Sequence, residues 1–170
     1  AANHDDNIFL RADFNLTPTH SLMVRLSGEA RTTGDLNVGG LITPEFGFGL
    51  RERDVQLAAS LTSVISSDLL NEARLLVATS RFDQAANSER PGVERPSGTF
   101  GGNNLSGQLR DEKRYQLLDN LTIRSGSHTL KVGADVASTQ TDVTTRFNRN
   151  GNFLYDTDRP FEPGDGYVRR

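Results

Sequence analysis

Long runs of alternating apolar and polar residues, joined by connections that go short, long, short, long, short, constrain this chain more than any other feature. Ile8-Phe9-Leu10-Arg11-Ala12-Asp13-Phe14-Asn15-Leu16 leads through Thr17-Pro18-Thr19-His20 into Leu22-Met23-Val24-Arg25-Leu26, and a polar, Gly-rich stretch follows. Strict alternation over such lengths is the period of a strand with one apolar face. A soluble antiparallel sheet has no reason to keep every second connection long. A barrel in an outer membrane has one, with tight turns on the periplasmic side and long loops outside.

The pattern predicts six strands, at about residues 8–16, 21–30, 54–65, 70–82, 114–124 and 128–143. In the first, Ile8, Leu10, Ala12, Phe14 and Leu16 share a face, and Arg11, Asp13 and Asn15 share the other. Proline fixes φ and removes a donor, so Thr17–His20 reads as a tight turn. Ser66–Asp68 and Ser125–Ser127 are the other short turns. Long loops are expected at 32–53, 83–107 and 144–170, all at one end of the sheet. The fourth strand alternates least cleanly. A helix over 67–80 competes there, since Asp68 is a good N-cap and Leu, Glu, Ala and Arg favour helices. Asn150-Gly151 between Phe147 and Phe153 is a hairpin signal inside the last loop.

The expected fold is therefore all-β: an antiparallel up-and-down meander of about six long strands, an incomplete section of a transmembrane β-barrel with long loops on one side. Six strands cannot close a barrel, which starts at about eight. The chain opens on Ala1 and stops after Arg170 without a terminator, and it reads as an internal piece of something longer. The 35% hydrophobic content suits a sheet with one greasy face and polar loops better than a soluble core. A net charge of −3 with interleaved acids and bases argues against nucleic acid as a partner. The absence of cysteine removes disulfide frameworks and thiolate metal sites.

Charged residues on the polar face are the first candidate site: Arg11, Asp13, Arg25, Glu29, Glu72, Arg74, Arg124, Lys131 and Asp135 are expected to face a lumen. They either line a substrate path and contact an internal plug, or form ordinary cross-strand pairs in a wet interior. Asp119 is an exception, a charge on the apolar face. Phe46, Phe48, Phe100, Phe153 and Tyr155 are loop candidates, able to stack on a ligand or to pack the loops together. His4, His20 and His128 lack zinc spacing, and no metal or cofactor is expected. Asp156, Asp158, Glu162 and Asp165 form an acidic tail without the spacing of a calcium loop. Nothing marks a catalytic nucleophile, so no enzyme is expected.

Leu118-Asp119-Asn120-Leu121-Thr122-Ile123, then Gly126, then His128-Thr129-Leu130-Lys131-Val132-Gly133-Ala134-Asp135-Val136, resembles a hairpin of TonB-dependent outer-membrane receptors. Asn37-Val38-Gly39-Gly40, the hairpin from Leu61-Thr62-Ser63-Val64 to Leu70-Asn71-Glu72, Pro91-Gly92-Val93 and Gly98-Thr99-Phe100-Gly101 resemble the Oar-like branch. The resemblance implies a 22-stranded barrel around a plug in the outer membrane of a Gram-negative-type bacterium. It implies uptake of a scarce nutrient such as a siderophore, carbohydrate or peptide, with energy from TonB. The implied partners are outer-membrane lipid, the remaining barrel strands and plug, TonB, and a small ligand. Two rivals are an outer-membrane or surface adhesion protein without transport, and a soluble all-β binding module. The last requires Leu10, Val24, Leu57 and Val132 to be buried in a shared core.

Overall fold

A computed structural model describes residues 3–104, 106–160 and 162, together with the backbone of 168–169. Asp165 of the acidic tail lies outside the described residues. The alternating segments form six long strands: β1 (Asn3–Thr17), β2 (His20–Leu36), β3 (Phe48–Ser66), β4 (Leu69–Ala86), then, beyond two short loop strands β5 (Gly92–Arg95) and β6 (Gly98–Phe100), β7 (Gln108–Ser125) and β8 (His128–Thr145). They make one antiparallel sheet in the order β1-β2-β3-β4-β7-β8. Residues 67–80 are turn and strand, not helix. Pairing on both sides, to β3 and β7, decides the matter against local helix propensity.

Two-residue turns connect β1 to β2, β3 to β4 and β7 to β8. At the last of these Gly126 takes φ 60°, a conformation that glycine adopts without steric cost. Register shifts next to the first two turns leave Leu16 and Ile65 as bulges.

The strands run further into the expected loops than hydrophobic alternation marked. β2 continues to Leu36 and β3 begins at Phe48, so only 37–47 is loop where 32–53 was expected. β4 runs to Ala86, and β7 begins at Gln108. Residues such as Arg31-Thr32-Thr33 and Arg51-Glu52-Arg53 are polar on both faces. Their ladder, from Arg31↔Glu52 to Thr33↔Leu50, nonetheless continues unbroken.

The three loops fold onto one another at the end away from the short turns. β5, β6, β9 (Asn152–Leu154) and β10 (Val168–Arg169) form a second sheet in the order β10-β9-β5-β6. β5 pairs β6 antiparallel and β9 parallel, which ties the second long loop to the third. The first loop, with a single 3-10 turn at Pro44–Phe46, joins through an Ile42↔Thr99 bridge. The expected ribbon around Asn150-Gly151 is corrected accordingly. Residues 147–150 do turn, but Phe153 takes Val93 of β5 as its partner instead of folding back on its own flank.

Among the described residues, no second layer covers the large sheet. Ile8, Leu10, Leu57, Leu117, Leu130 and Val132 are all exposed, and Phe46, in the loops, is the one buried hydrophobic residue among those described. Leu10 is 56% exposed, Leu57 42% and Val132 47%. The shared core that a soluble module requires is absent from the described residues.

Candidate functional site

Direct cross-strand partners lie on the same face of a sheet, so the register sorts every side chain. One face carries Leu10, Leu26, Leu57, Val77 and Tyr115 in one rank, and Ala12, Val24, Ala59, Leu75, Leu117 and Val136 in the next. The other carries all nine charged candidates. Arg11 is paired with Arg25. Asp13 stands across the sheet in the rank that ends at Arg74 and Asp135, and Glu72 lies one rank further. Glu29 lies toward the loops, and Arg124 and Lys131 toward the short turns.

This polar face is concave. A hollow of about 620 Å³ is walled by Phe9 of β1, Glu29 of β2, Gln56 of β3, Leu76 of β4 and Arg114 of β7. One hollow touches five strands only if the sheet curls toward that side. The apolar face is consequently convex, as in a barrel wall with a wet interior.

The concave charges are arranged in small networks. Arg11 chelates Asp13 with contacts of 2.8 and 2.9 Å. Glu72 sits between Arg74 and Lys131, 3.5 Å from each. Gln116 donates to both oxygens of Asp135 at 2.9 Å. Arg31 donates to Glu29 at 2.7 Å and to Asp5 at 3.3 Å, and lies 3.9 Å from Glu52. Arg25 differs from these. It directly opposes Arg11, and its Nε is buried without a hydrogen-bond partner. Beside it Met23, Ala58, Leu76 and Leu118 floor a second hollow of about 480 Å³, rimmed by Arg25, Arg74 and Gln116. Leu76 and Leu118 blur the alternation in sequence because they are apolar residues on the polar face. Reading each strand by strict parity would have located them.

Of the loop aromatics, Phe100 and Phe153 lie in the second sheet, and Phe46, Phe48 and Tyr155 lie outside it. Phe46 is buried in the 3-10 turn, and Phe48 opens β3 between Leu36 and Ala86. Phe100 and Phe153 both flank Val93, one on each side, and so share a face. The Arg95 guanidinium stacks 4.2 Å above the Tyr155 ring and donates to the carbonyls of Thr157 and Arg159 at 3.0 and 2.8 Å. The backbone N–H of Ser97 donates to Asp158 at 3.0 Å, and bonding to Ser97 holds that carboxyl below its ordinary pKa. Asp119 stands on the convex face, where it accepts a hydrogen bond from Asn71 at 2.8 Å.

The family described as outer membrane beta barrel domain matches residues 1–163. No curated protein and no solved structure matches significantly. An exposed apolar convex face, a charged concave face, tight turns at one end and loops at the other agree with that match, and the chain belongs to the outer membrane beta barrel domain family, a protein of the outer membrane.

Proposed function

We propose that the chain is part of the wall and extracellular loops of a TonB-dependent outer-membrane transporter, of the Oar-like branch, and that it has no catalytic role. One observation carries the reading: a curved six-stranded wall with a charged concave face ends in two long edges, β1 and β8, that are unpaired among the described residues. Unpaired edges of that length demand further strands, and a wide closure leaves a polar lumen rather than a packed interior. The hairpin phrase from Leu118 to Val136 supports the receptor assignment. In this reading the loop sheet captures a small ligand, the concave charges contact a plug, and TonB-driven movement of the plug admits the ligand. The plug, the other strands and the TonB contact belong to regions beyond this chain.

The test uses the full-length protein. In detergent it is expected to form a stoichiometric complex with the periplasmic domain of TonB, and in planar bilayers it is expected to be non-conducting. A freely conducting pore that ignores TonB would identify a passive channel. A silent barrel that ignores TonB but binds a surface or another cell would identify an adhesin.

A further inference from the structure

The convex face changes character abruptly at its loop end. Val55 and Val77 belong to the apolar band. One rank beyond Val55 stands Arg53, in direct register with Arg81, and Arg51 follows one rank further out. Like charges directly opposite each other repel, and these two point outward, away from the lumen. Arg81 has one carboxylate in reach, Asp111 at 3.6 Å, and Asp83 stands across from Arg51. Arg53 has no side-chain partner among the described residues. A hollow of about 330 Å³ opens here, lined by Ala30, Thr32, Arg51, Arg53, Arg81 and Asp83.

We propose that Arg53 and Arg81, with Arg51 above them, hold a phosphate group of an outer-leaflet lipid headgroup against the outer wall of the barrel. The position selects the occupant. The long-loop end of an outer-membrane barrel faces outward, so this rank lies at headgroup level in the outer leaflet. Below them, Val55 in the next rank, which also holds Thr79 and Lys113, and Leu57 and Val77 in the rank after it accept the acyl chains of the same molecule. A phosphate between the two guanidiniums replaces their repulsion with charge-assisted, bidentate hydrogen bonds. The inference rests on the outer-membrane family and not on transport, and it survives if the protein proves to be a channel or an adhesin.

The full-length protein, extracted in mild detergent, is to be mixed with phosphorylated lipid A, with its dephosphorylated form or with inorganic phosphate, and the retained lipid counted by native mass spectrometry. The intact protein is expected to retain phosphorylated lipid A about 25-fold better than the Arg53→Gln/Arg81→Gln variant. Arg53→Lys/Arg81→Lys, which keeps the charge and loses the bidentate fork, is expected to keep only part of that difference, and added salt to erode it. Unheated gel mobility verifies that each variant is a closed barrel. If the double variant fails to close, Arg53→Gln alone is expected to weaken retention about fivefold. Equal retention of the dephosphorylated lipid, or no change in the Gln variants, overturns the proposal. Displacement of the lipid by inorganic phosphate at matched concentration also overturns it, since the site would then hold a free anion.

Discussion

At the scale of single residues, the instructive pair is Asn71 and Asp119. Parity along the seventh strand is enough to put Asp119 on the apolar face, between Leu117 and Leu121, and to mark it as an anomaly. Its partner was not legible, because the register that brings Asn71 beside it spans 48 positions of sequence. All nine concave charges were legible for the opposite reason: parity within a strand is local and needs no register. A polar pair facing lipid satisfies itself, and breaking one half leaves the other exposed to hydrocarbon. Asn71→Leu is therefore expected to destabilise the barrel by about 1–3 kcal/mol. Adding Asp119→Leu should restore most of that loss, because both polar groups are then gone. Urea unfolding of the full-length barrel in lipid, run as a double-mutant cycle, measures the coupling. Additive losses would mean that the two side chains act independently.

At the scale of elements, the short turns were readable and the strand ends were not. Proline at 18, the Ser-Ser-Asp run and Gly126 carry turn chemistry in their own residues. The outer thirds of β2, β3, β4 and β7 carry no hydrophobic alternation, since both of their faces meet water or headgroups. The loop sheet is harder still to foresee. β5 and β9 have four and three residues, and they pair in parallel across some sixty positions. Contacts such as the Ser97 N–H to Asp158 and Arg95 over Tyr155 add to their backbone pairing. The Asp158 carboxyl has its pKa lowered in the folded loops by hydrogen bonds from Ser97 that its charged form accepts more strongly than its neutral form. Its contribution to loop docking is consequently complete above the ordinary aspartate pKa of about 3.9, and is lost as pH falls through the lower folded value. Hydrogen exchange at the Ser97 amide is expected to show steady protection from neutral pH down to that range, and loss below it. Asp158→Asn should remove the pH dependence of that protection and leave it low throughout.

At the scale of the whole molecule, the upper edge of the apolar band drifts across the sheet. In β1 it starts at Ile8, whose rank continues through Gly28, Val55 and Thr79 to Lys113 and Gln140. In β8 the first apolar residue is Val136, two ranks lower and level with Ala12. A drift of about four residues, ~13 Å, over five strand spacings, ~24 Å, corresponds to a tilt of roughly 30°. That approaches the 35–45° of closed membrane barrels, so the slant of the band relative to the strands is what a level membrane crossing tilted strands requires. A sandwich core carries no such requirement. The same geometry fixes which substitutions matter. Leu57 lies in the band on the convex face, and Gln56, its neighbour in sequence, lines the concave hollow. Leu57→Arg is expected to cost about 2–4 kcal/mol in bilayer-folded protein, and Gln56→Arg to stay within about 1 kcal/mol. The comparison is a pair of reversible unfolding curves for the full-length barrel in vesicles. Equal costs at the two positions would mean that lipid does not cover the convex face.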